Sequence, residues 1–391
     1  MARIRRVLAR LMGLAIVLAT LSCGAGQAPQ FRSEVEVTPA EDSIGERLFL
    51  DTRFAEYFAV NMTSVNQPPA KGDPVVQQVQ TMNGALTGPF AGQSINCRSC
   101  HFVTEFQGVA GAGNRTYSDF AAHSPIPRPI GGFTQTSRNA MHMVGSLQPH
   151  PDPTFLHFDG EFVSPEQLVK STLTGRNFGW APDQYQQAVA HIALIIRKDN
   201  GTSQLAMDRT SGFSYGKLFL GRDPAIPSDL LIPEADRIDV NTATNEQVLG
   251  LVAKCISTYM SDLLFQQDEF GRYIGSPYDV FLRINHLPVQ PKAGESIGQY
   301  NQRLLGIVEG LNNPIWVDGT YGRFQYHAQP FQFGSTEFAG LKIFLRSAPG
   351  ATDSSQHAGN CASCHQAPDF SDFGFHNTGV TQEEYDSLHG S

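Results

Sequence analysis

Residues 97–101 read Cys97-Arg98-Ser99-Cys100-His101, and residues 361–365 read Cys361-Ala362-Ser363-Cys364-His365. Cys-x-x-Cys-His is the covalent attachment pattern for c-type haem. Two thiols three positions apart can each form a thioether to a haem vinyl group, and the adjacent His then faces the iron as proximal ligand. With only 6 cysteines and 12 histidines in 391 residues, two chance copies of the pentapeptide are negligible. Two other chemistries use paired cysteines. A four-cysteine zinc site normally joins pairs about 15–20 residues apart, whereas these two motifs stand 264 positions apart. A thioredoxin-like redox pair gives no reason for a His directly after both motifs. The expected cofactors are therefore two covalently bound haem c groups, held by Cys97, Cys100, Cys361 and Cys364, with His101 and His365 on the irons.

Working outward, Gly45-Glu46-Arg47-Leu48-Phe49-Leu50 precedes the first motif and Gly340-Leu341-Lys342-Ile343-Phe344-Leu345 the second. This weak repeat puts an aromatic-aliphatic pair near the end of a short helix that could pack on a haem edge. The first copy has a longer insertion, Asn61 to Gln93, rich in Asn, Gln, Pro and Gly, which reads as loop. Further along, Ser164-Pro165-Glu166-Gln167 is a helix start, with Ser as N-cap, Pro in the first turn and Gln three residues after the cap. That helix should run to about Leu173. Between Gln184 and Arg197, the residues Tyr185, Ala188, Val189, Ile192, Ile195 and Ile196 form one apolar stripe, and a longer stripe runs from Thr244 to about Gln266. Cys255 lies in the second stripe and reads as a buried, inert thiol. Asp199 to Ile238 and Pro288 to Gly334 read as loops with short helices. No alternation of strands is visible. The expected fold is mostly α: two c-type cytochrome-like haem domains (40–195 and 335–391) with long loops and a helical connecting segment (196–334).

Composition agrees with a folded chain, since 41% of residues are hydrophobic and 17% charged. A net charge of −9 argues against a nucleic-acid binder, and six cysteines are too few for a disulfide scaffold. Arg3, Arg5, Arg6 and Arg10 precede an apolar run from Leu11 to Leu21, followed by Ser22-Cys23-Gly24. A basic stretch, a short apolar core and small residues predict a secretory signal over residues 1–25. Cys23 stands where a bacterial lipoprotein carries its lipidated cysteine, although Thr20 replaces the usual Leu; lipid anchoring and ordinary cleavage near Ala25 both remain open. Either route exports the chain to the periplasm, where c-type haem is attached. Loss of the four arginines takes the net charge from −9 to about −13.

Taken in order, these segments resemble the bacterial di-haem cytochrome c peroxidase family, which includes the di-haem enzyme that matures methylamine dehydrogenase. The resemblance covers most of the mature chain. It rests on Gly45 to Phe49 and the first haem motif, on Ser137-Arg138-Asn139 (the family's Arg-Asn loop) and on Phe158-Asp159-Gly160 (its aromatic-Asp-Gly segment). It continues through Ser276-Pro277-Tyr278-Asp279-Val280-Phe281-Leu282, the second motif and Phe375-His376-Asn377-Thr378-Gly379. Three departures stand out. Phe158 occupies a position that is often Trp, an electron relay between the haems. A family Glu would fall near Arg176-Asn177-Phe178, where no carboxylate stands. Only 26 residues follow His365, none of them Met and with Tyr385 close by, so the second haem domain is expected to be incomplete.

The resemblance implies a peroxidase that takes electrons from a small carrier such as a cytochrome c or cupredoxin and reduces hydrogen peroxide to water at the first haem. His123 lies where many family members carry a displaceable distal ligand, in a Pro-rich loop (Ser124 to Pro129) that can move. Met141, His142 and Met143 are rival ligands or plain core. Arg138 could pair with a haem propionate or form a surface salt bridge. Asn139 matches a residue that helps bind calcium between the domains, which adds calcium to the expected cofactors. His376 reads as structural, and a homodimer is an assembly the family allows. Two rival functions stand beside the peroxidase: a di-haem oxidase acting on a protein or small molecule, and an electron-transfer cytochrome with both irons fully ligated.

Overall fold

Serine and threonine caps open the helices that the sequence marks most clearly. In the computed structural model, Ser164 Oγ accepts the Gln167 N–H at 3.3 Å and Thr244 Oγ1 the Gln247 N–H at 3.2 Å. Each satisfies a backbone donor that the first helical turn leaves without a partner. The structure describes residues 39–67, 78–81, 84–87, 95–97, 100–101, 123–130, 133–141, 143–148, 156–323, 330–346 and 358–376. The expected signal segment and Cys23 lie outside them.

In chain order the elements are α1 (Ala40–Leu50), α2 (Glu56–Asn61), β1 (Gln78–Thr81), β2 (Gly84–Thr87), β3 (His123–Ile130) and β4 (Phe133–Asn139). They continue as α3 (Pro165–Leu173), α4 (Tyr185–Lys198), α5 (Gln204–Thr210), α6 (Tyr215–Leu220), α7 (Asn245–Asp262), α8 (Pro277–Ile284), α9 (Ile297–Gly310) and α10 (Ser335–Leu345). Helix dominates, as expected. Among the described residues the strands form two antiparallel two-stranded hairpins, β1–β2 and β3–β4, which the sequence reading lacked. Pro125, Pro127 and Pro129 account for the second omission. Prolines suggest loop, but spaced by two they put their missing N–H groups on one side of a strand, with irregular register against β4. The segment expected to be a movable loop is therefore a paired strand. No described helix is long and apolar enough to cross a membrane.

Most of the buried apolar residues among those described fall into two clusters. One joins Ile44, Leu48 and Phe49 of α1 to Val189, Ile192 and Ile196 of α4 and to Val248, Val252 and Ile256 of α7. The other gathers Phe281 of α8, Tyr300 and Leu304 of α9, Phe333, Leu341 of α10 and Ala367 just after the second motif. Phe281 and Phe333 stack at 4.3 Å between ring centroids. The segment between the two repeats thus contributes to both cores. Gly45 lets α1 lie against α7: a Cβ there would collide with the Cys255 carbonyl. Its counterpart Gly340 meets no such neighbour within 4 Å. Cys255 itself is buried and its thiol is pushed up by that burial, as an inert core cysteine should be.

Beneath α1 lies an ionic cluster that the sequence pattern hides. Arg47 Nη2 is 2.7 Å from Asp199 Oδ2, and Arg53 Nη2 is 2.6 Å from Asp51 Oδ2 and 3.0 Å from Asp199 Oδ1. Tyr215 donates its hydroxyl to Asp51 Oδ2 at 3.0 Å and its N–H to Asp199 Oδ2 at 2.9 Å. Burial alone would raise the Asp51 pKa, but the adjoining Arg53 and Arg47 guanidiniums win and hold it below the usual carboxylate value.

Candidate functional site

Both Cys-x-x-Cys-His segments fold into the same turn. Cys97 O accepts the N–H of Cys100 at 3.1 Å and of His101 at 2.9 Å; Cys361 O accepts those of Cys364 and His365 at 3.2 and 2.8 Å. One helical turn brings positions i and i+3 to the same side of the backbone. Each turn is tied to the end of the helix in its own repeat. Asn96 Nδ2 donates to Leu50 O at 2.8 Å at the end of α1, while Asn360 N–H donates to Arg346 O at 2.9 Å just after α10. The last carbonyls of a helix lack partners within it, and in both repeats the residue before the first cysteine supplies one. The weak sequence repeat is therefore a repeated structural unit of helix end, tether and turn.

The two histidines are oriented alike. His101 Nδ1 lies 2.7 Å from Met141 O, and His365 Nδ1 lies 3.0 Å from Phe370 O. A carbonyl can only accept, so each Nδ1 carries a proton, which in the neutral ring leaves the lone pair on Nε2. That is the tautomer needed to bind a metal through Nε2, with a backbone acceptor fixing the ring. Asn301 of α9 steadies the second site. It donates to Ala367 O at 3.0 Å and accepts Ala367 N–H at 3.1 Å.

The surroundings differ. Cys100 is buried, Cys97 and His101 half-buried. Burial, with Cys100 alongside, pushes the Cys97 thiol up to about 12. At the second turn His365 is exposed, and Ile343, Phe370 and Phe375 present apolar surface nearby in the chain. Both donor sets suit a covalently attached haem by their chemistry: two thiols one turn apart, followed by an imidazole whose Nδ1 is held by a backbone carbonyl. The second adds apolar surface for a macrocycle to cover. Asp369 links the two regions, because its Oδ1 accepts from Gln148 Nε2 and, at 2.8 Å, from the Tyr273 hydroxyl. Gln148 lies seven residues after Met141, and Asp369 directly precedes Phe370.

The other expected residues are placed by their backbone. His123 opens β3, Arg138 and Asn139 close β4, and the ladder pairs His123 with Asn139. The hairpin so brings the expected distal ligand beside the expected calcium residue. Their side chains lie outside the described ones, as do His142, Asn377 to Gly379 and Tyr385. Met143 is buried core. His376 Nε2 is 2.7 Å from Asp372 Oδ2, on the surface. Phe158 is exposed. No carboxylate stands within Arg176–Phe178, but Glu56 of α2 reaches that turn: a Cβ on Gly179 would meet Glu56 Oε2 at 3.9 Å. Sequence reasoning missed Glu56, Asn301 and the two carbonyl acceptors. For the tethers, Asn96 and Asn360, each directly before a motif, offered a repeated signal.

No family model, curated protein or solved structure matches the chain.

Proposed function

We propose that the chain is a periplasmic di-haem c-type peroxidase that reduces hydrogen peroxide to water with electrons from a small redox carrier. The observation that carries this reading is the matched pair of turns, each with its His Nδ1 bonded to a carbonyl. Cys97, Cys100 and His101 would hold one haem, and Cys361, Cys364 and His365 the other. When bound, such groups supply one-electron redox centres and, at an open iron position, a site for peroxide.

The chain's own residues have three tasks. Met141 O and Phe370 O keep the imidazoles turned and, by accepting from Nδ1, make Nε2 a stronger donor. His123 is the residue proposed to cover the peroxide site and leave it, Arg138 to pair with a propionate, and Asn139 to take part in a calcium site. Splitting the O–O bond requires a group that moves a proton between the two oxygens. Glu56, whose carboxylate lies beside Gly179 at the end of the turn where the family resemblance expects one, is proposed for that role. The exposed edge around His365 and Phe375 suits docking of a cytochrome c or cupredoxin.

A haem stain, electron paramagnetic resonance and a peroxide-turnover assay on one purified sample test the reading. A high-spin centre with turnover supports it. Two six-coordinate, inert centres would favour the electron-transfer cytochrome, and oxidation of a second substrate with little peroxide reduction would favour the oxidase.

A further inference from the structure

Residues 157–161 read His157-Phe158-Asp159-Gly160-Glu161 and form a turn closed at its base by Leu156 and Phe162. The closing backbone bonds are Leu156 N–H to Phe162 O at 2.8 Å and Phe162 N–H to Leu156 O at 3.4 Å. His157 packs edge-on against Phe162 at 4.9 Å between centroids. The turn gathers three donors: a ring nitrogen of His157 and one carboxylate oxygen each from Asp159 and Glu161 lie within 4.8 Å of one another. His157 Nδ1 and Glu161 Oε2 are already 3.0 Å apart, and Asp159 Oδ1 is fixed by the Glu161 N–H at 3.2 Å. The His157 and Glu161 side chains are 41% and 59% exposed, so an ion in solution can reach them.

We propose that this turn is a surface site for a divalent first-row transition ion, bound by His157, Asp159 and Glu161 with water completing its coordination. The donor set argues for the class of ion. Calcium and magnesium prefer oxygen alone, whereas an imidazole with carboxylates suits zinc and its neighbours. One neutral imidazole and two carboxylates also balance a charge of +2. Donors at about 2.0–2.2 Å from a tetrahedral ion lie roughly 3.4 Å apart. The His157–Glu161 pair, hydrogen-bonded at 3.0 Å, needs to open by about 0.4 Å as the ion replaces the proton between them, and Asp159 offers an oxygen within 4.8 Å of both. The other described trio, Cys364, Asp372 and His376, shares a cysteine with the second motif; the His157 turn shares no residue with either motif.

Titration calorimetry of the whole protein with zinc chloride tests the site. One saturable event per chain is expected, weakened roughly tenfold or more by His157→Ala and by Glu161→Gln, and unchanged by His376→Ala. Asp159→Asn keeps the oxygen that accepts the Glu161 N–H, so it should weaken zinc while the circular dichroism stays as in the parent. Absence of a saturable event, or one that survives His157→Ala, would overturn the proposal. Free thiols also take up zinc, so the titration is run on protein whose cysteines either carry haem or are alkylated; the result then does not depend on which of the two holds.

Discussion

His101 Nδ1 donates to the Met141 carbonyl at 2.7 Å, across 40 positions of sequence. The same bond at the other motif, from His365 to Phe370, spans 5 positions. One acceptor lies two residues beyond a β-hairpin and the other in the turn that follows the motif itself. Unrelated local structures thus give both histidines the same kind of backbone acceptor at Nδ1.

The hairpin places His123 at the start of β3, opposite Asn139. If His123 covers the first iron, His123→Gly should leave that centre high-spin without prior reduction. Optical and paramagnetic resonance spectra of the oxidised variant would show it. Spectra identical to the parent's would mean that another group gates the site.

Arg47 and Asp199 are 0% and 1% exposed, so removing Asp199 leaves the Arg47 charge buried without the carboxylate that it contacts. Asp199→Ala should cost about 3–5 kcal/mol, or roughly 10 °C in Tm, measured by calorimetry. A loss under about 1 kcal/mol would show that water or a rearranged Asp51 replaces the carboxylate.

Asp42, in the first turn of α1, has its pKa raised from the usual 3.8 to about 7 by burial, then by Asp262 and by Glu46. A raised carboxyl pKa favours the folded state fully below the unfolded value, and that contribution is lost as pH rises through the folded one. Stability should therefore fall between about pH 4 and pH 7 on account of this group. Asp42→Asn should flatten the profile and raise stability at pH 8 by about 1–2 kcal/mol, a figure reduced for partial solvent screening. Thermal melts across pH would check it, and an unchanged slope would contradict the assignment.

If the basic amino terminus is removed on export, the charge becomes about −13. Turnover with a cationic cytochrome c should then fall as salt shortens the Debye length from ~10 Å at 0.1 M to ~3 Å at 1 M. A small neutral donor should be much less affected. A flat salt response with the cationic donor would mean the charge is spread evenly, with no docking face.

Local signals carried most of what could be read in advance. Ser164, Thr244 and the apolar stripe of α4 write their helices into a few adjacent residues, and the structure places them there. α7 ends at Asp262 rather than near Gln266, and the Leu263 carbonyl takes an N–H from distant Gly145 at 2.7 Å. The two thiol-bearing turns were legible because each motif is contiguous. The partners that orient them were not: Met141 and Phe370 act through backbone carbonyls, which every residue has. Arg47 shows the same limit. Its place in the repeat is visible, but Asp199, 152 positions away, is supplied only by folding.

The central claim is that both turns carry covalent haem, and intact mass of the mature protein after acid-acetone extraction tests it most directly. The account predicts a mass increased by two haems, both lost together with extraction resistance when the cysteines of each motif are changed to serine. A mass matching free thiols, or the addition of zinc alone, would contradict it.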